Sequence, residues 1–233
     1  GNVFGWTADV AKSEAVLSHF ADNGGNFIDT ADMYSEWGSG NVGGESETII
    51  GNWLKKRGGR DSVVIATKVA KLSTRRGLSA KNLQAACEDS LSRLKTDYID
   101  LYYAHEDDPQ TPLEETLGAF DSLIQSGKVR YIAASNFTAE RLQKSLEVSR
   151  ENGFAAYVAA QDQFNLLERD YERTLQPTLV ENSLSQLPYF GLARGFLTGK
   201  YRPGKSVDSM RAGGMGSYQN ERGWALLSKM DDL

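Results

Sequence analysis

The sequence has few of the residues that mark disulfide-rich, membrane or nucleic-acid-binding proteins. A single cysteine, Cys87, among 233 residues excludes a disulfide framework and suits a reducing compartment. No apolar run approaches the ~20 residues of a membrane helix, and no signal peptide is visible, so a cytoplasmic protein without a membrane partner is expected. The formal net charge of −5, without a basic patch, argues against a nucleic-acid partner.

The sequence does contain a regular alternation of short apolar runs and longer segments of helical period. The predicted strands are residues 26–29, 63–68, 98–104, 129–135, 157–163 and 187–189. The predicted helices are residues 10–22, 46–56, 80–94, 113–126, 139–152 and 172–180. Ser79, Thr111 and Thr138 stand where N-caps are expected.

The strand runs are almost continuously apolar, which is typical of parallel strands that are covered on both faces. Only 5 prolines occur and no linker interrupts the alternation, so residues 1–233 are predicted to form a single α/β domain. A (β/α)8 barrel is favoured over a doubly wound sheet, because no G-x-G-x-x-G follows an early strand. By this count the last βα unit of the barrel is missing from the chain.

Polar residues stand at the ends of the predicted strands, where barrel enzymes place their active sites. They are Asp29, Lys68, His105, Ser135 with Asn136, and Gln161 with Gln163. Each has a simpler explanation alone: Asp29 could cap a turn, Lys68 could reach solvent, and His105 could be a hydrogen-bonded core residue. Together they favour an active site, because a lone buried charge costs several kcal/mol unless it is paired.

The chemistry of this set, with Tyr34 from the loop after Asp29, suits reduction of a carbonyl group. Lys68 would favour the tyrosine anion, Asp29 would keep Lys68 charged, and His105 would orient the carbonyl oxygen. No side chain donates hydride, so a nicotinamide cofactor is required, and no metal is predicted. A Schiff-base role for Lys68 is a rival that Asp29 opposes, because such catalysis needs a lowered lysine pKa.

These segments resemble the aldo-keto reductase family over nearly all of residues 1 to about 205. The likeness rests on "NFIDTADMYSEW", "DSVVIATKV", "TDYIDLYYAHEDDPQTPLEE", "VRYIAASNF", "QDQFNLLERDYE" and "LPYFGLARGFLTGKYRPG". Within the family, the chain is similar to the bacterial and plant branch related to potassium-channel β subunits. The family continues past the position of residue 233 into a segment that holds the adenosine 2′-phosphate, so the chain is expected to lack that C-terminal part.

The resemblance implies roles for individual residues. The family's catalytic tetrad falls on Asp29, Tyr34, Lys68 and His105, with Tyr34 as the proton donor. The family's contacts to NADPH/NADP+ fall on Ser135, Asn136, Gln161, Tyr189, Phe190, Leu192, Gly195, Leu197 and Lys200. Met33 and Trp37 flank the tetrad tyrosine and are expected to contact substrate.

The expected function is therefore NADPH-dependent reduction of aldehydes or ketones to alcohols, with a small-molecule carbonyl compound as partner. The alternative is a cofactor-binding regulatory protein with little turnover, like a channel β subunit. The sequence does not specify the substrate or the oligomeric state.

Overall fold

Strands and helices alternate along the chain in the order that the apolar pattern predicts. The computed structural model of the protein describes residues 1–208 and 214–232. These fall into two compact units, Gly1–Ala160 and Gln161–Leu233. Organisation as a single domain stays a prediction. None of the helices in the described part of the chain combines the length and the apolar character needed to cross a membrane.

The first unit is built from five strands and five helices. They are α1 (Val10–Asp22), β1 (Phe27–Asp29), α2 (Glu45–Arg57), β2 (Val64–Val69), α3 (Ala80–Leu94), β3 (Ile99–Ala104), α4 (Leu113–Gln125), β4 (Val129–Ser135), α5 (Ala139–Asn152) and β5 (Tyr157–Gln161), which ends on the first residue of the second unit. The strands lie side by side in chain order, and β1 to β4 pair in parallel. This is a partial (β/α)8 barrel, as the sequence predicts.

Helix capping follows the sequence at two of the three expected positions. The hydroxyl oxygens of Ser79 and Thr138 accept backbone N–H groups in the first turns of α3 and α5. Thr111 does not cap α4, because Pro112 occupies the N-cap position. The Thr111 hydroxyl instead donates to the Asp108 carboxylate at 2.7 Å. A charged acceptor makes the stronger hydrogen bond, so Thr111 organises the loop before the helix rather than the helix itself.

Aromatic rings fill the layer between the sheet and the helices of the first unit. Tyr102, Phe120, Tyr157 and Phe137 form a chain of edge-to-face contacts with centroid separations of 5.7, 6.1 and 5.8 Å. All four rings are buried. Edge-to-face pairs favour particular ring orientations in addition to burying apolar area. These contacts therefore determine how α4 packs on the sheet.

A charged cluster ties together the strand ends opposite those that carry the predicted site. The Asp100 carboxylate accepts hydrogen bonds from Arg60 at 2.7 Å, from Arg130 at 2.9 Å and from the Ile65 amide at 2.9 Å. The two guanidinium groups stack on the Tyr98 ring, at 4.0 Å and 3.9 Å from its centroid. The cluster joins β2, β3 and β4.

Replacing Arg130 by Ala is expected to destabilise the fold by about 1 kcal/mol, since one ion pair and one cation–π contact are lost. The change is small because the side chain is half exposed and Asp100 keeps Arg60 as a partner. Chemical denaturation of the two proteins measures the difference. Arg150→Ala, at an exposed position in α5, is the matched control. Equal stability of the two variants would show that the contacts of Arg130 do not stabilise the fold.

The second unit differs from the sequence prediction at three places. The predicted helix 172–180 is two short helices, α6 (Tyr171–Thr174) and α7 (Gln176–Glu181). Pro177 explains the break, because it has no N–H for a continuous helix and its ring clashes with the preceding turn. The predicted strand 187–189 is wrong, since β6 lies at Ser185–Gln186 and Tyr189 forms only an isolated bridge with Gln163. The strand predicted for 157–163 ends at Gln161.

The second unit has its own apolar core. Phe196 lies in a 3₁₀ segment, Ala193–Thr198, and its ring packs against Tyr201, Tyr218 and Trp224 at 6.3, 5.9 and 5.3 Å. Trp224 belongs to α8 (Glu221–Asp231), the last helix of the chain. The amphipathic helix α8 therefore packs against this core.

Candidate active site

The first three strands deliver the predicted tetrad to one edge of the sheet. Asp29 is the last residue of β1, Lys68 is the penultimate residue of β2, and His105 directly follows β3. Because these strands are parallel and adjacent, their carboxyl ends lie at the same edge. Tyr34 comes from the loop between β1 and α2. All four residues belong to the first unit.

Lys68 is the centre of the arrangement. Its side chain is fully buried, and its ammonium donates to Asp29 Oδ1 at 2.6 Å, to the Thr30 carbonyl at 2.8 Å and to the Tyr34 hydroxyl at 3.1 Å. Burial alone would lower the pKa of Lys68, but the Asp29 carboxylate and Tyr34 outweigh it, so the pKa is raised. Lys68 therefore stays charged, with each of its three N–H groups engaged.

Tyr34 keeps its proton at neutral pH. Burial raises its pKa, and this effect outweighs the opposing influence of the Lys68 ammonium. The sequence led us to expect that Lys68 would make the tyrosine a stronger acid, so the net shift has the opposite sign. The result is a protonated hydroxyl beside a permanent positive charge. Such a hydroxyl loses its proton only when an acceptor approaches, and the ammonium then stabilises the anion.

His105 is neutral. Its side chain is buried, and its pKa is well below the usual range because of burial, followed by repulsion from Lys68 and Lys71. Its ring lies edge-on to the Tyr34 ring at 5.9 Å. The ring atom Nδ1 has no hydrogen-bond partner among the residues that the structure describes. A neutral imidazole next to a protonated phenol gives two hydrogen-bond donors that can share one oxygen.

Comparison with known proteins gives the same family as the motifs. The profile of the Aldo/keto reductase family matches residues 2–226. The chain belongs to this family. The chain is 36% identical over 84% of its length to uncharacterized oxidoreductase YrpG of Bacillus subtilis. It is 36% identical over 86% of its length to aldo-keto reductase YhdN of the same organism, and 34% identical over 78% to norsolorinic acid reductase B of Aspergillus parasiticus.

The chain covers 62%, 57% and 48% of the lengths of these three relatives. It therefore spans about half to two thirds of the curated relatives that it matches.

The end of β4 carries two of the residues that were predicted to contact the cofactor. Ser135 is buried, and Asn136 is exposed in a left-handed conformation, with φ of 58°. The Asn136 amide donates to the His105 carbonyl at 2.9 Å and to the Ser135 hydroxyl at 3.0 Å. These bonds offset the backbone strain and fix the amide beside the tetrad histidine.

The predicted substrate contacts flank Tyr34. Met33 is half-buried, and the Trp37 ring lies 6.2 Å from the Tyr34 ring with 44% of the residue exposed. Trp6, whose ring meets Trp37 edge-on at 5.7 Å, was not predicted as part of this site. Nothing in the local sequence around Trp6 indicates this contact, because the two residues belong to segments that only the fold brings together.

The other predicted cofactor contacts lie in the second unit. Gln161, at the end of β5, is buried. Tyr189 and Phe190 are half-buried with rings 5.1 Å apart, Leu192 and Lys200 are exposed, and Gly195 has a φ of 106° that favours glycine. Leu197 is buried in the core of the unit with Phe196, so its side chain supports the loop from within.

Proposed function

We propose that the protein is an NADPH-dependent oxidoreductase that reduces aldehydes or ketones to alcohols, with Tyr34 as the proton donor. The observation that carries this proposal is the contact of 3.1 Å between the Lys68 ammonium and the Tyr34 hydroxyl, made while Lys68 is paired with Asp29. Membership of the aldo/keto reductase family supports it. We also propose a reducing, cytoplasmic location, which suits the free buried thiol of Cys87.

The residues of the tetrad divide the work of the proton-transfer step. A carbonyl oxygen bound between the Tyr34 hydroxyl and the His105 ring gains two hydrogen bonds as negative charge develops on it. Tyr34 then transfers its proton to that oxygen. The tyrosinate left behind is stabilised by Lys68 at contact distance, and Asp29 holds the ammonium in place.

The cofactor NADPH, when bound, supplies the hydride that the carbonyl carbon accepts. Ser135 and Asn136 suit its nicotinamide carboxamide, because their polar groups stand at the strand end next to His105. Gln161 and Tyr189, which belong to the second unit, are further proposed contacts of the cofactor. Phe190, Leu192, Gly195, Leu197 and Lys200 would form the loop on the pyrophosphate side, where the exposed Lys200 ammonium suits a phosphate.

The test combines a fluorescence titration of the protein with NADPH and an assay of NADPH consumption with an aldehyde. We expect saturable binding and consumption that depends on the aldehyde. Binding without consumption would contradict the enzyme and favour the regulatory alternative. Absence of binding would contradict both.

A further inference from the structure

The loop before Tyr34 contains a buried carboxyl group that the proposed proton-transfer step does not use. Asp32 is almost fully buried, and neither of its oxygens accepts a hydrogen bond of normal geometry from the residues that the structure describes. Buried polar groups nearly always have such partners, so this exception needs an explanation. Asp32 stands two residues before the proposed proton donor, and its state therefore bears on the reaction through the backbone.

The backbone of this loop connects Asp32 to both sides of the contact between Lys68 and Tyr34. The Asp32 amide donates to the Lys68 carbonyl at 3.1 Å, which ties the loop to β2. The Tyr34 amide donates to the Ala31 carbonyl at 3.2 Å, so Tyr34 lies in the turn that contains Asp32. A displacement of Asp32 therefore changes the position of Tyr34 relative to Lys68.

Charged groups from α2, α3 and the loop after β2 act on Asp32, and none within the described ranges pairs with it. Glu47 of α2 is fully buried and repels a negative charge at Asp32. Arg93 of α3 attracts such a charge, but its Nε donates to Glu47 at 2.7 Å. Arg75, in the loop after β2, attracts it more weakly and pairs with Asp89 at 2.7 Å. Both cations are thus already engaged by other carboxylates.

A neutral carboxyl group suits these surroundings better than a carboxylate. Tyr102 of β3 also lies within electrostatic range of Asp32, and its buried hydroxyl stays protonated because burial raises its pKa well above the usual value. Burial, and then repulsion from Glu47, raise the pKa of Asp32 to about 7. A carboxylate formed here lacks a partner, so its ionisation favours any movement of the loop that brings it to water.

We propose that Asp32 is a positioning residue of Tyr34, which keeps the loop in its active arrangement as a neutral carboxylic acid and withdraws Tyr34 from Lys68 when it ionises. The proposal rests on the proposed reductase function. The contact that changes is the one of 3.1 Å between the Lys68 ammonium and the Tyr34 hydroxyl. A misplacement of about 1 Å lowers a rate by a factor on the order of 10². Turnover is therefore expected to be faster below neutral pH than above it.

The kinetic test is the pH profile of kcat for benzaldehyde and NADPH, both at saturating concentrations, between about pH 6 and about pH 9. We expect kcat of the wild type to fall about tenfold across this range, and kcat of Asp32→Asn to change less than about twofold. Titration of the tetrad does not produce such a fall, because the pKa of Tyr34 is raised and that of His105 is well below the usual range.

Two further variants make the kinetic result specific. Asp32→Leu also lacks a titrating proton and adds no amide contact, so its profile should be as flat as that of Asp32→Asn. Asp97→Asn makes the same chemical change at an exposed position between α3 and β3, and it should keep the wild-type profile. A profile that falls equally in the wild type, Asp32→Asn and Asp32→Leu would overturn the role of Asp32 and leave the reductase standing.

An NMR measurement without cofactor or substrate follows the loop directly. The chain has 2 histidines, so His19→Gln leaves His105 as the single one. The His105 ring lies edge-on to the Tyr34 ring at 5.9 Å, and its ring signals therefore report the position of Tyr34. We expect these signals to shift with pH around neutrality, and to stay unchanged over the same range when Asp32→Asn is added.

The two measurements distinguish failure of the positioning role from failure of the reductase. A fall in kcat without any shift of the His105 signals would overturn the positioning role, because the pH effect would then not pass through Tyr34. If no aldehyde is reduced, the reductase proposal fails and the NMR result decides alone. A shift that Asp32→Asn abolishes would still support the coupling of Asp32 to Tyr34, whereas unchanged signals in both proteins would overturn it as well.

Discussion

Replacing Tyr34 by Phe is expected to lower carbonyl turnover about 10²- to 10⁴-fold, the usual contribution of a positioned general acid. The ring and its edge contacts with His105 and Trp37 remain, so the fold and the site keep their shape. Only the hydroxyl that accepts a hydrogen bond from Lys68 is removed. The change should therefore appear in kcat, with little effect on the Kd for NADPH. Steady-state kinetics and fluorescence titration measure the two quantities.

Tyr131→Phe is the matched control, because it removes the hydroxyl of an exposed tyrosine on β4. It should retain the activity of the wild type. Retained activity in Tyr34→Phe would contradict the proposed proton donor. An equal loss in both variants would show that the measured effect does not come from Tyr34 chemistry.

The apolar pattern was sufficient to predict most of the first unit. Three helices begin and end where the apolar pattern does, at residues 10–22, 80–94 and 139–152. Residues that form side-chain N-caps or left-handed C-caps stand at the same positions. The helix predicted at 172–180 is two helices because apolar periodicity does not register Pro177, which cannot continue a helix but suits the start of one. The strand 187–189 failed because its three residues carry too little pattern to define a strand.

The site was predictable to the extent that each side chain follows a recognisable strand. Asp29, Lys68 and His105 met this condition, and their common edge followed from parallel pairing. Trp6 did not, since its contact with Trp37 joins segments that are distant in sequence. Glu47, in the first turn of α2, is fully buried and accepts hydrogen bonds from Arg93 at 2.7 Å and Thr67 at 2.5 Å, and these contacts also depend on the fold.

The loop that carries Tyr34 also contains the buried carboxylate of Asp32, whose surroundings differ from those of Glu47. Asp32 is 1% exposed, and neither of its oxygens accepts a hydrogen bond of normal geometry from the described residues. Burial, and then repulsion from Glu47, raise the pKa of Asp32 from 3.8 to about 7, against an opposing effect of Arg93. Arg93 does not pair with Asp32, because its Nε donates to Glu47.

The raised pKa of Asp32 makes the stability of the fold depend on pH in a definite direction. Between pH 3.8 and about 7, the folded state holds a proton at Asp32 that the unfolded state has released. The free energy of unfolding therefore falls as the pH rises through this window and stays low above it. The shift corresponds to a cost on the order of 4 kcal/mol at alkaline pH.

Replacing Asp32 by Asn should remove much of this cost, since an amide cannot ionise and has nearly the same shape. With about half of the cost recovered, the expected rise in Tm is about 4–8 °C at pH values near 8.5. The rise should shrink at pH values near 5, where wild-type Asp32 already carries its proton. Thermal denaturation followed by circular dichroism at the two pH values measures it.

Replacing Glu47 by Gln is expected to change Tm in the opposite direction. Glu47 is paired with Arg93, so its replacement weakens a buried ion pair and should lower Tm at both pH values. An equal change in Asp32→Asn at both pH values would contradict the titration of Asp32. A lower Tm for Asp32→Asn at alkaline pH would show that the carboxylate is stabilised rather than strained. In that case the negative charge of Asp32 would stabilise the loop that carries Tyr34.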